Sequence, residues 1–276
     1  MEEEWKVYNH GLITTRMPHE DKNETCIENL KKWKDKKTLF ARWTSDFDCG
    51  YETEWWYCLK DDEFDVSLLK SKRRYVINKG IKNFDLKIIN PNEYLNEMYE
   101  VYSDSMLDYP IKYRTIISKE EFIKGHKNDK GRSYIGVWDK ETKEFSGYII
   151  CFKIANSCET VIDFQEVAVK RNSVKKEINA AIGNYICCKY LNEEKVKYIY
   201  DGERNIRHIT NYQDYLIKYF GFRKAYCKLN IKYKTLMKIA INILYPFRNI
   251  IKNTNNKLLY NVYCVLYQEQ IRRSFK

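Results

Sequence analysis

Residues 133 to 191 constrain the fold more than any other stretch. Ser133–Trp138, Gly147–Ile154 and Thr160–Val169 are three short runs rich in β-branched and aromatic residues. Polar turn segments separate them, Asp139-Lys140 after the first and Asn156-Ser157 after the second. Such runs read as consecutive strands of one meander. At once there follows a segment, about Ser173–Leu191, with Val174, Ile178, Ala181, Ile182, Tyr185 and Ile186 at helical spacing. A strand meander feeding a helix predicts a mixed α/β layout.

The flanking pattern extends this layout. Lys6–Asn9, Leu12–Arg16, Thr38–Thr44 and Glu54–Leu59 read as strands, and Asp21–Lys34 as a polar helix. Asp65 is a candidate cap for a helix running to about Lys79. Phe84–Ile89 is strand-like, and Pro91 opens a helix to about Leu107. Lys119–Lys127 is a short helix. Val196–Tyr200 is a strand, Asn211–Tyr219 a helix, and Ala225–Tyr233 a strand pair. Two apolar-faced segments close the chain, Thr235–Phe247 and Leu258–Phe275. Three consecutive parts are therefore expected: an accessory α/β layer over 1–80, a core over 81–235 and a basic amphipathic extension over 236–276.

Bulk properties exclude several classes. With 276 residues and 44% hydrophobic content the chain is long enough to bury a sizeable core. The acidic start, Glu2-Glu3-Glu4, does not resemble a secretory leader. The apolar stretch Leu236–Tyr245 is too short to span a bilayer. Nine Cys without a Cys-x-x-Cys pair fit a reducing compartment, so the expected location is cytoplasmic, peripheral to the inner face of the membrane at most. No His-Glu-x-x-His, nucleophile elbow or phosphate-binding Gly loop is present, and no metal is expected.

Charge is the second strong feature. Residues 170–276 carry 22 Lys/Arg against 7 Asp/Glu, whereas residues 1–169 carry a slight acidic excess. A polyanionic partner is expected on that side, such as CoA, tRNA or an anionic membrane meeting residues 234–276.

Two segments carry a family resemblance. Thr160-Val-Ile-Asp-Phe-Gln-Glu-Val-Ala-Val169 followed by Lys170-Arg-Asn-Ser-Val-Lys-Lys176 and a helix resembles the cofactor-binding core of the GNAT acyltransferases. Tyr215-Leu-Ile-Lys-Tyr-Phe-Gly-Phe-Arg-Lys224 is similar to their C-terminal helix ending in Gly-Phe. More weakly, Leu69-Lys-Ser-Lys-Arg-Arg-Tyr-Val-Ile-Asn-Lys79 resembles the basic helix of Fem-type peptidyltransferases.

The resemblance implies a GNAT-type sheet and transfer of an acyl group from acyl-CoA, as co-substrate, to an amine. An amino sugar or other cell-envelope precursor is the suggested acceptor. It also implies that one strand end parts from its neighbour and pairs with the pantetheine arm. The amides of Val167 and Val169, with Lys170, Arg171, Ser173 and Lys175, would meet the CoA, and Ser173 would cap the helix. This sequence departs from the family in two places. No Gly lies between Gly147 and Gly183, and Ile217 stands where the terminal helix usually has Tyr, flanked by Tyr215 and Tyr219.

Among side chains, Glu166 is the candidate base, and its spacing of three from Asp163 predicts opposite faces of the strand. His208 is a second candidate base and Tyr215 a candidate acid. Asp201, Arg204, Arg207 and Asn211 follow a strand end, where sites of α/β proteins form, and are candidate substrate contacts. Two other readings stay open: an aminoacyl-tRNA-dependent transferase, and a binding protein without catalysis.

Overall fold

A computed structural model describes residues 4–20, 27–110, 114, 116–206, 212–252 and 256–275. The fold is mixed α/β. Contacts divide the chain into two units built from separated stretches. The first comprises Met1–Cys58, Glu203–Thr210 and Lys224–Lys276; the second comprises Leu59–Gly202 and Asn211–Arg223.

Elements follow the chain as β1 (Trp5–Tyr8), β2 (Gly11–Thr14), α1 (Lys31–Lys34), β3 (Phe40–Ser45), β4 (Trp55–Lys60), α2 (Ser71–Asn83), β5 (Phe84–Ile89), α3 (Leu95–Met106) and α4 (Lys119–His126). Then come β6 (Ser133–Asp139), β7 (Phe145–Ala155), β8 (Thr160–Val169), α5 (Ile178–Ile186), β9 (Tyr198–Glu203), α6 (Tyr212–Phe220), β10 (Arg223–Tyr233), α7 (Thr235–Leu244), α8 (Arg248–Lys252) and α9 (Lys257–Ser274).

In the first unit, β1 and β2 form a hairpin whose two turn residues, Asn9 and His10, are both left-handed (φ 46° and 63°). Two consecutive positive φ values give the turn whose twist matches a hairpin. β3 lies parallel to β2 and antiparallel to β10. Trp5, Leu12, Ile27, Leu30, Trp33 and Ala41 form the core here, with Trp43 packed against it. The predicted helix 21–34 is, within the described residues, a 3-10 turn at Ile27–Asn29 and the single turn of α1. The expected strand pair at 225–233 is one long strand, Arg223–Tyr233, of which the second half, Lys228–Tyr233, pairs with β3.

In the second unit, β5, β6, β7 and β8 run antiparallel in that order, and β9 lies parallel to β8. α3 and α4 bury Met98, Val101 and Phe122 against Tyr134, Tyr148, Ile150 and Ala168. Complete burial of a Phe-sized side chain contributes roughly 1.5–3 kcal/mol. Asp65 does act as a cap, but of a 3-10 turn over Val66–Leu68; α2 starts afresh at Ser71. α2 packs on α5 at Gly80, where a Cβ would lie 2.5 Å from the Glu177 carbonyl oxygen and 2.7 Å from the Ala181 nitrogen. Only glycine admits that approach.

Candidate functional site

The site is built on β8. Its register against β7 slips once: Ile150 faces Glu166, whereas Cys151 faces Phe164, so Gln165 is an extra residue. Alternation shifts by one at such a bulge. Asp163 shares a face with Phe152, and Glu166 with Ile150, so both carboxylates sit on one side of the sheet. This corrects the expectation of opposite faces, which assumed an unbroken period of two.

On that side the fully buried Tyr148 donates its hydroxyl to the Glu166 carboxylate. Burial raises the Glu166 carboxyl above its ordinary value; the Tyr148 hydrogen bond and the charge of Arg132 pull it partly back. The phenols of Tyr102, Tyr109 and Tyr134 lie close enough to feel the Glu166 charge, and burial raises all three. Tyr134 is in turn fixed by Asp129, to which it donates at 2.8 Å, and by His126 Nδ1 at 3.0 Å. Burial, then the charge of Arg132, lowers His126 to about 4, so this ring is neutral near pH 7.

Beyond Asp163 the sheet opens. Parallel pairing of β8 with β9 comprises Val161–Tyr198, Ile162–Ile199 and Asp163–Tyr200, while β8 continues to Val169. At the end of β9, Gly202 adopts φ +66° with no atom within 4 Å of where a Cβ would stand. A left-handed residue there turns the strand off its course. The Lys170 N–H bonds to the Ser146 carbonyl, on the β7 side, at 2.8 Å. Amide direction alternates along a strand, so the N–H groups of Val169 and Val167 point to the other edge, the one β9 has left.

Asp201 stands at this opening. Burial, then the charge of Asp163, raises its carboxyl to about 7, although Gln213 partly offsets the shift. Gln213 Nε2, on α6, also donates to the Asp201 carbonyl at 2.7 Å. The Tyr109 phenol is raised by burial and by Asp108, Asp201 and Glu166, which places Tyr109 within electrostatic reach of both site carboxylates.

The loop after β8 differs from expectation. Ser173 does not cap α5: it is buried in a 3-10 stretch, Arg171–Lys176, with its hydroxyl directed to Asn172 at 3.2 Å. α5 begins only after Glu177, which is left-handed (φ 67°). The Arg171 amide and Nε are both held by Asp104, at 2.8 and 3.0 Å. Lys170 pairs with Glu144, and Lys176 with Asp139 at 2.8 Å. Lys175 is exposed, while its carbonyl accepts from Lys79 at 2.9 Å.

The remaining candidates are scattered. Arg204 lies in the first unit, clamped by the Glu54 side chain at 2.5 Å and the Tyr267 hydroxyl at 2.6 Å, so its guanidinium is already engaged within the fold. The Tyr215 hydroxyl is buried without a hydrogen-bond partner, and its phenol feels Glu177, at the start of α5, rather than Glu166. Arg207, His208 and Asn211 lie outside the described residues. Sequence reasoning missed Tyr148, Tyr102 and Tyr109. No motif marks them; only the bulged register brings Tyr148 to Glu166. Among the described residues no group of three or more His, Cys, Asp or Glu is placed to hold a metal ion.

No protein-family model matches the chain, and no curated protein does. Solved structures do. L-PGS from Bacillus licheniformis aligns over 82% of this chain and 70% of its own, at 12% identity and a TM-score of 0.46. An aminoglycoside acetyltransferase from an uncultured soil metagenomic sample aligns over 50% of this chain and 85% of its own, at 12% identity and TM-score 0.36. The GCN5-related glucosamine N-acetyltransferase region of a fungal multi-domain GH3 beta-N-acetylglucosaminidase covers 40% of this chain, at 12% identity and TM-score 0.32. The match spans only 12% of that fungal chain.

Proposed function

We propose that the second unit transfers an acyl group from a CoA thioester to an amine. One observation carries the reading: β9 leaves β8 after Asp163, so the Val167 and Val169 amides face an open edge beside Glu166. An acyl-pantetheine arm is an extended chain of amides and fits such an edge as an added strand.

In this reading the thioester carbonyl accepts from a β8 amide, which supports negative charge on that oxygen as the tetrahedral intermediate forms. Glu166, desolvated and lifted in pKa, takes the proton released by the attacking amine. The C–N bond forms, the C–S bond breaks, and the departing thiolate is protonated from solvent. Asp163, whose charge reaches Asp201, gives the opening a negative field that favours a cationic acceptor, consistent with an amino sugar or a related envelope precursor.

The loop favours a second donor. Lys170, Arg171 and Lys176 are already bound by acids, which leaves Lys175 and loop amides for a pyrophosphate. An aminoacyl-tRNA would present the same kind of activated carbonyl without that anchor, and basic charge would serve its backbone.

Calorimetric titration with acetyl-CoA and longer acyl-CoAs, and in parallel with aminoacyl-tRNA, tests both. Saturable heat with a CoA thioester that vanishes on widening the side chain at Val167 (Val167→Trp) supports the first donor. Heat only with tRNA, falling steeply with salt, selects the second. No binding of either rejects transfer at this edge.

A further inference from the structure

The first unit carries a surface that the transfer reading does not use. α7 has the sequence Thr-Leu-Met-Lys-Ile-Ala-Ile-Asn-Ile-Leu, yet of its residues only Ile241 is buried. Leu236, Ile239 and Ile243, with Phe247 and Ile250 just beyond, recur every three or four residues and so form one stripe. All five are exposed, Leu236 by 83% and Ile250 by 75%.

The opposite side is the one that packs. Arg273 bonds to Asn242 at 3.1 Å and stands over the Tyr245 ring at 4.0 Å, and Arg248 bonds to Gln270 at 3.0 Å. The stripe therefore faces away from α9, and its apolar character is not explained by the core.

Charge identifies what covers it. Residues 224–276, in the first unit, hold eleven Lys/Arg and one acid, Glu269. That acid is 2% exposed and bonded to Arg272 and Arg273, so it offers nothing to a partner. Lys238 and Lys252, on the same two helices as the stripe, are exposed. A helix is about 10 Å across, somewhat more than the ~8 Å Debye length at physiological salt, so these lysines act on a surface the stripe enters at low salt and are largely screened from it at high salt.

We infer that the Leu236–Ile250 stripe lies in the interface of an anionic lipid bilayer, with its apolar side chains among the acyl chains and Lys238 and Lys252 on the opposite, water-facing side of the two helices, above the phosphates. An amphipathic helix with a basic polar face binds membranes in this manner without crossing them. Among the described residues no helix is long and apolar enough to cross a bilayer.

Flotation of the full chain with vesicles tests the inference without any assay of transfer. Vesicles of phosphatidylcholine containing about one-third phosphatidylglycerol are compared with pure phosphatidylcholine, at low and high salt. The expected result is at least roughly ten-fold preference for the anionic vesicles at low salt, weakened at high salt. Ile239→Ser with Ile243→Ser and Phe247→Ser should abolish it. Lys238→Gln with Lys252→Gln should reduce it by about five-fold per lysine. All five side chains are exposed, so both variants should melt at the parent's temperature; the lysine pair keeps the test alive if the apolar variant does not. Absent flotation, or equal flotation with both vesicle types, overturns the inference. So does a dimer on sizing that the triple variant dissociates, since the stripe would then be covered by a second copy.

Discussion

The two units each bury carboxylates, and they treat them in opposite ways. In the first unit Glu269 is 2% exposed and would be raised by burial, but hydrogen bonds from Arg272 and Arg273 outweigh that and hold it below its ordinary value. In the second, burial wins: Glu166 is raised, and Asp201 is lifted to about 7 with Asp163 adding to the shift. A buried acid given two guanidinium partners is a structural clamp. One left to burial without a guanidinium partner keeps a raised proton affinity, which for Asp201, beside Asp163, lies near neutral pH.

The largest test of this contrast is Glu166→Gln. If Glu166 is the base, transfer should fall by about 10²–10⁴-fold with an unchanged melting curve. An unchanged rate would place Glu166 with the structural carboxylates. Glu269→Ala should do the converse, leaving transfer intact but lowering stability in urea by about 2–3 kcal/mol. That is under the usual cost of splitting a buried pair, because both arginines keep a path to solvent.

Asp201→Asn sharpens the difference through pH. Between about pH 4 and 7 the folded chain holds a proton on Asp201 that the unfolded chain, with an ordinary value of 3.8, releases. Stability therefore falls as pH rises through that window, by on the order of 2 kcal/mol, and the variant should flatten the decline. Glu269 runs the other way: its contribution is present above its ordinary value of 4.5 and lost as pH falls below it. A parent whose stability does not decline between pH 4 and 7 would count against a protonated Asp201. The smallest expected effect is that of Tyr148→Phe. Loss of the hydroxyl removes a bond that favours the charged Glu166, so the acidic limb of the rate profile should move to higher pH. A limb that stays put would mean the Tyr148 contact does not tune the base.

Much of the second unit was legible. The three strands of the meander are found within about two residues of their expected ends, because alternation and turn chemistry are local signals. The helix over 235–247 is found as α7 and a 3-10 turn that contains Pro246; the short α8 that follows it, Arg248–Lys252, was not legible. Expected roles for Lys170 and Arg171 rested on the resemblance and on charge, and neither could show that Glu144 and Asp104 already hold them. Ser173 has the right side chain for a cap but the wrong position, since a left-handed Glu177 sets the helix start.

By itself the sequence determined the order of strands and helices in the core, the basic character of the last hundred residues and the apolar stripe of α7, since all three are written in near-neighbour patterns. Tertiary structure alone decided which carboxylates share a face, where β8 and β9 separate and which cations are already paired. Those depend on a one-residue bulge at Gln165, a left-handed turn at Gly202 and contacts between residues tens of positions apart. Side-chain period carries no record of an inserted residue until a partner strand defines the register.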